Sequence, residues 1–288
     1  MKFHILIAAI SLLILPCTAD HLYRESIAKC PPIPKHERAT SVEHLRPDDI
    51  EVVAAMGDSF TAGGDSDAIS VPNFLKHYSP NLYGASKGQR NARLCTETFF
   101  CFNSYHEPKI DFLNAAQSGA TSLELPEQVN YLIARLGPGT PLAKKWKMIN
   151  VFIGYNDATA FCFPDRNASF YEAHVFTAIK KLSNSIDYAY INLVGLNTFT
   201  TLIQRPLDAD GYLKHFEHQD INLRTFECYC CTRPGFRQEE LTRSTRSIDL
   251  AIQKVSSRLR AEGFRNKVTT VYQPLHVLDE SVPFNAVR

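Results

Sequence analysis

Five short apolar runs recur along this chain with helix-patterned stretches between them, and this alternation restricts the possible folds more than any other feature. Val52–Ala55, Ile110–Leu113, Met148–Ile153, Tyr188–Val194 and Lys267–Tyr272 read as strands, because short, continuously apolar runs suit parallel strands covered on both faces. Between Gln238 and Glu262, Leu241, Ile248, Ile252, Val255 and Leu259 follow helical spacing, and Gly263 supplies a stop. A second helix, Phe170–Leu182, carries Val175, Ile179 and Leu182 on one stripe between two strand runs, the pattern of a right-handed crossover. The fold class predicted is α/β, a three-layer αβα sandwich around a central parallel sheet.

The first strand runs into a distinctive segment, Val52-Val-Ala-Ala-Met-Gly-Asp-Ser-Phe-Thr-Ala-Gly63. Gly57 permits a tight turn, Asp58 can bond amides around it, and Ser59 is left at the strand's C-terminal end where a helix begins. Ser59 is the candidate nucleophile, although Gly-Asp-Ser alone would serve equally as a strand-to-helix turn. Asn114-Ala-Ala-Gln-Ser-Gly-Ala-Thr-Ser122 then places Gly119 in a polar loop before a helical stretch, where it offers an unobstructed N–H. The run from Trp146 ends in Phe152-Ile-Gly-Tyr-Asn-Asp157, which puts the Asn156 carboxamide at the end of another strand. In an open α/β sheet these ends share one edge, so Ser59, Gly119 and Asn156 are expected to meet there.

The set resembles the SGNH (GDSL) hydrolases, and within them the animal phospholipase B-like branch. The likeness runs from about Cys30 to the C-terminus and rests on Ser41-Val-Glu-His-Leu-Arg-Pro-Asp-Asp-Ile50, the Gly57-Asp-Ser59 segment, Ser118-Gly-Ala-Thr-Ser122 with Leu125-Pro-Glu-Gln128, and the Asn156 block. The resemblance implies a flavodoxin-like SGNH fold and a serine esterase acting on carboxyl esters of phospholipids or lysophospholipids. It assigns Ser59 as the nucleophile, with Gly119, Asn156 and the Ser59 N–H forming an oxyanion hole, and it implies no metal or organic cofactor. Asp58 and Asp157 are expected to support their turns. Related folds deacetylate carbohydrates, an alternative that the phospholipase-like lead-in disfavours.

One block of the family pattern has no counterpart. The family ends in Asp-x-x-His, whose histidine takes the serine proton and whose aspartate orients that histidine. No Asp-x-x-His occurs in the 288 residues, so the catalytic Asp and His are expected to be absent. The chain then reads either as a non-catalytic lipid-binding relative or as a form that stops short of its base. His276 sits beside the last strand with Asp279 in reversed order, and is read as a loop or packing histidine. His21, His36, His44, His77, His106, His174, His215 and His218 lie outside any catalytic spacing and take the structural reading.

Met1–Ala19 has a basic start, an apolar core and small residues near its end, the pattern of a signal peptide rather than a membrane span. Three segments follow from this reading: a leader at 1–19, an extended lead-in at 20–49 and a hydrolase domain at 50–288, C-terminally incomplete. Secretion or residence in a secretory lumen is expected, with membrane anchoring only if a C-terminal extension is missing. Lys and Arg number 31 against 30 Asp and Glu. With Lys2 in the leader the two sides balance, which gives no electrostatic case for nucleic acid; contact with a membrane surface would be local and transient. Cys30, Cys95, Cys101, Cys162, Cys228, Cys230 and Cys231 remain after leader removal. They are read as disulfide partners, since Cys228-Tyr-Cys-Cys231 has no companion pair at zinc spacing, and the odd count leaves at least one thiol without a partner in the chain. Asn167-Ala-Ser169 is a glycosylation sequon. Insertions at 65–107 and 197–237 should wall the site; Phe74, Tyr78, Tyr83, Phe99 and Phe100 either line an acyl pocket or pack their own loop.

Overall fold

Four of the apolar runs become neighbouring strands of one parallel sheet in the computed structural model, which describes residues 29–62, 70–87, 106–198, 213–216, 219–222, 228–264 and 267–275. In chain order the elements are β1 (Val52–Gly57), α1 (Ser59–Ala62), α2 (Val71–Tyr78), α3 (Pro108–Asp111), α4 (Leu125–Leu136), β2 (Lys147–Phe152), α5 (Tyr155–Thr159), α6 (Ala168–Ser185), β3 (Ala189–Val194), the pair β4 (Leu213–Phe216) and β5 (Gln219–Asn222), α7 (Gln238–Glu262) and β6 (Val268–Gln273). The parallel sheet has the order β1-β2-β3-β6, while β4 and β5 form a separate antiparallel pair. In register, Val52 lies opposite Lys147 and Gly57 opposite Phe152, so β1 and β2 finish level with each other.

Helices α4, α6 and α7 share one face of the sheet: α4 packs on β1 and α6, and α7 packs on α6, β3 and β6. Alternating side chains of the strands point at them. Val52, Ala54, Met56, Ile149, Val151, Ile191 and Leu193 join Val129, Leu132, Ile179, Leu182, Ile252, Val255 and Leu259 in one buried core. Each fully buried Leu or Ile there contributes about 1.5–3 kcal/mol. On the opposite face a smaller cluster sets Val53 against Ile50 and Leu75, with Leu45, Leu82, Ala85 and Met148 around it. The lead-in and α2 thus form the third layer, and the αβα reading holds.

The lead-in is pinned by the fully buried Trp146, whose indole N–H donates to the Ala39 carbonyl at 2.9 Å. Asp49 adds to this anchor, accepting from the Ala39 and Arg46 amides at 3.1 and 3.0 Å.

One strand assignment is corrected. Apolarity predicts a strand at 110–113, but Pro108–Asp111 is helical, with Pro108 at a helix start. The backbone reaches the sheet only afterwards, where the Ala55 amide donates to the Leu113 carbonyl and Asn114 bridges Ala55. Pro fixes φ in the helical range and a short apolar run does not reveal its own conformation, so composition misled here. The leader, His276, Cys95, Cys101, Phe99, Phe100 and most of both insertions lie outside the described residues.

Candidate active site

The site is built where β1 and β2 end together. Ser59 is exposed and opens α1, directly after Asp58, which is 1% exposed. The Phe152 carbonyl at the end of β2 accepts from the Asp58 amide at 3.3 Å and from Thr61 Oγ1 at 3.1 Å. The Thr61 amide closes the turn on the Asp58 carbonyl at 3.1 Å. Gly57 has φ +152, and a Cβ there would lie 2.1 Å from the Phe152 carbonyl oxygen and 2.5 Å from Thr61 Oγ1. Only glycine lets the strand turn this close to its neighbour.

The loop carrying Gly119 is attached to the same turn at several points. Asn114 Nδ2 donates to the Thr61 carbonyl at 3.1 Å, its Oδ1 accepts from the Ala116 amide at 3.1 Å, and the Gln117 amide donates to the Gly57 carbonyl at 3.1 Å. Gly119 is half-buried with φ +80, a left-handed conformation that a side chain would disfavour. Thr121 then starts the descent into α4: its amide and Oγ1 both donate to Glu124 Oε2, at 2.7 and 2.8 Å.

Asn156 lies in the first turn of α5, half-buried, and its Nδ2 donates to the Ala120 carbonyl at 2.8 Å. The carboxamide is therefore tied to the residue next to Gly119. Below it, Asp157 is 7% exposed and accepts from the Ser122 amide at 3.1 and 3.0 Å and from Ser122 Oγ at 2.6 Å. Burial pushes the Asp157 carboxyl up to about 6, against the lowering effect of the Ser122 bonds. The support expected of Asp157 thus extends beyond its own turn to the second loop.

A turn beside α5 is fastened covalently. Cys162–Cys230 and Cys228–Cys231 are disulfides that fix the turn at 228–232, which packs against α5. Ser244 Oγ on α7 donates to the Ala158 carbonyl at 2.9 Å, and Tyr171 OH to the Ile153 carbonyl at 2.8 Å. The cysteine reading is borne out for these four residues.

Other candidates sit elsewhere. Tyr83 bridges Val52 at the N-terminal end of β1 and meets Phe112 edge-on, so it packs the far end of the strand instead of an acyl pocket. His174 bonds the Phe170 carbonyl within α6, and His106 lies against Tyr131. His36 bonds Asp48 at 3.0 Å, a contact that holds its imidazole above the ordinary range. Among the described residues His36, Asp48 and Asp49 form the one group close enough to converge on a cation. Asp49 already has both oxygens on backbone amides, so the cluster is a hydrogen-bonded knot in the lead-in.

Reading the sequence missed two site elements: the Ser122–Asp157 link and the role of Gln128. Gln128 has no exposure, accepts from the Gly57 amide at 2.7 Å and donates to the Gly57 carbonyl at 2.9 Å. Both lie inside motifs that sequence inspection singles out, but partners 35 and 71 residues apart carry no local signal.

The sequence is similar to those of known proteins. The GDSL-like Lipase/Acylhydrolase family matches residues 53–283. "Phospholipase B1, membrane-associated" of Rattus norvegicus is 29% identical over 243 residues, covering 73% of this chain. The Homo sapiens protein of the same name is 31% identical over 195 residues, 57% of this chain, and that of Mus musculus is 28% identical over 243 residues, 73% of this chain. The chain spans only 15%, 12% and 15% of the lengths of these relatives. With the family match covering most of the chain and the serine, glycine and asparagine segments in place on a parallel α/β sheet, the chain belongs to the GDSL-like lipase/acylhydrolase family, in its phospholipase B-like branch.

Proposed function

We propose that this chain carries the site of a lipid esterase whose Ser59 is the nucleophile for carboxyl esters of phospholipids or lysophospholipids, with little or no turnover by these 288 residues, which hold no Asp-x-x-His to supply the base. The Ser59 hydroxyl attacks the ester carbonyl to form an acyl-enzyme, the alcohol leaves, and water releases the fatty acid. The Ser59 N–H, the Gly119 N–H and Asn156 Nδ2 stabilise the oxyanion. The observation that carries this reading is the bond from Asn156 Nδ2 to the Ala120 carbonyl, which holds the carboxamide beside Gly119 on a loop that is itself bonded to Gly57. The substrate class is supported by the names of the relatives. The chemistry requires no metal or organic cofactor, only a base for the Ser59 proton.

A second reading, a non-catalytic lipid-binding relative, is favoured by one sequence observation, the lack of any Asp-x-x-His. Incubation with a fluorophosphonate probe and with lysophosphatidylcholine separates the two. Ser59-dependent labelling, lost in Ser59→Ala, is expected, with fatty-acid release slow because no Asp-x-x-His supplies the base. Equal release by wild type and Ser59→Ala would remove Ser59 from the reaction, and lipid binding without Ser59 labelling would favour the second reading.

We place the mature protein in the secretory pathway, with cleavage near Ala19. The two disulfides support an oxidising compartment, and no helix among the described residues is long and apolar enough to cross a membrane. Intact mass of the cell-exported protein, with and without reduction, tests both points.

A further inference from the structure

Along β1 the odd-numbered residues direct their N–H groups away from β2, and each finds an acceptor. Val53 donates to the Tyr83 carbonyl at 2.9 Å and Ala55 to the Leu113 carbonyl at 3.1 Å. At Gly57 the next acceptor is not backbone but the side-chain oxygen of Gln128, at 2.7 Å. The same carboxamide returns a bond from Nε2 to the Gly57 carbonyl at 2.9 Å, so side chain and residue exchange two hydrogen bonds as directly paired residues in neighbouring antiparallel strands do. The Gly57 carbonyl also accepts from the Gln117 amide at 3.1 Å, which occupies both of its lone pairs. Gln128 thus meets the last ladder position of β1, where the backbone from Leu113 to Gln117 turns off toward Gly119.

The Gln128 side chain has no exposure and sits on α4, amid Leu125, Val129 and Leu132, all fully buried. A buried carboxamide is costly unless bonded, and an apolar residue would fill this space at lower cost. What an apolar residue cannot do is hold Gly57. Ser59 follows two residues later, and the contacts already crowding Gly57 leave its peptide little room. We propose that Gln128 is a positioning residue for the nucleophile turn: its carboxamide fixes the two peptide planes flanking Gly57, and through them the direction of Ser59 Oγ and of the Ser59 N–H. This rests on the esterase reading, in which both groups must meet the substrate carbonyl.

The experiment compares three variants of the full chain. Gln128→Met keeps the shape without the bonds, Gln128→Glu keeps the acceptor and loses the amide donor, and Val129→Ala trims the neighbouring, equally buried residue as a control for lost stability. Labelling of Ser59 by a fluorophosphonate gives kinact and KI separately. For Gln128→Met, kinact is expected to fall about 10- to 100-fold, the scale set by small misplacements of reacting groups, with KI within about twofold because uniform binding is untouched. Val129→Ala should lose thermal stability and keep kinact. A second readout needs no catalysis: amide hydrogen exchange across 57–59 should quicken in the Gln128 variants beyond that in Val129→Ala at matched stability.

Equal kinact in Gln128→Met and Val129→Ala at matched stability would overturn the proposal, leaving Gln128 as packing. If wild type is not labelled at Ser59, the esterase reading fails by itself and exchange decides about Gln128, with equal exchange in Gln128→Met and control counting against it. If Gln128→Met does not fold, Gln128→Glu takes its place in both measurements under the same criteria.

Discussion

Ser122 Oγ donates to Asp157 Oδ1 at 2.6 Å, and the Ser122 amide reaches the same carboxylate, so the loop bearing Gly119 and the helix bearing Asn156 are joined by one buried group. Removing that acceptor strands two donors of a residue with no exposure. Asp157→Ala should lower stability by about 1–3 kcal/mol for the unsatisfied groups, as read from denaturant unfolding. The loss should be smaller in Asp157→Asn, which keeps one acceptor oxygen.

The same carboxyl sets a pH dependence. It titrates at about 6 in the folded protein against an ordinary value of 3.8, chiefly through burial. Between those values the folded chain holds a proton that the unfolded chain has released. This group's contribution to stability is full below about pH 4 and is lost as pH rises through about 6. Replacing it with asparagine should make the slope of unfolding free energy against pH more positive inside that window, by at most about 1.4 kcal/mol per pH unit, and leave the slope above pH 7 unchanged. Identical slopes for wild type and Asp157→Asn from pH 4 to 6 would contradict the assignment.

In a form of the protein that carries a catalytic base, Asn156→Ala should lower kcat for Ser59-dependent hydrolysis by roughly 10²–10³, the usual consequence of losing one oxyanion donor, with less effect on KM. Hydrolysis by a variant that retained wild-type kcat would remove Asn156 from the oxyanion hole. The bond from Asn156 to the Ala120 carbonyl gives a second effect to separate, so thermal unfolding of the same variant belongs beside the kinetics.

Gly57→Ala tests the close approach of β1 and β2. The added carbon would meet the Phe152 carbonyl oxygen at 2.1 Å at a φ of +152, and that oxygen belongs to the backbone of a paired strand. A loss of stability above about 3 kcal/mol is expected, in the range reserved for strain and overpacking. A soluble Gly57→Ala protein with unchanged melting temperature would mean that the turn is looser than described.

Lys147 provides a contrast at the opposite end of the sheet. Its buried Nζ donates to the carbonyls of Ala143, Lys145 and Asp187 at 2.8, 2.7 and 2.9 Å, and burial lowers the ammonium to about 8. Lys147→Met should cost several kcal/mol, because three carbonyls lose their donor at about 1–3 kcal/mol each where no water replaces it. Lys145→Met, at a half-buried residue whose Nζ lies 3.8 Å from Glu51, should cost about 0–1 kcal/mol. Comparable melting temperatures for the two variants would contradict the burial argument.

Sequence by itself determined the layers and the three segments of the candidate site. Period and apolarity are local properties, which is why Gln238–Glu262 is helical over the range read from spacing and why the strands containing Val52, Met148, Ile191 and Val268 fall within a residue or two of expectation. The Gly57-Asp-Ser59 turn, Gly119 and the Asn156 turn were legible for the same reason, since each needs particular residue types at one point of the backbone. Tertiary structure alone decided how those points are held. Pro108 made a helix where apolarity suggested a strand, Tyr83 went to the wrong end of β1 for a pocket, and Cys162 found Cys230 across 68 residues. The bonds of Gln128 to Gly57 and of Ser122 to Asp157 are satisfied polar contacts in a dry interior. Their partners are chosen by the packing of α4 and α5 on the sheet, and nothing in the neighbouring residues of either partner encodes that choice.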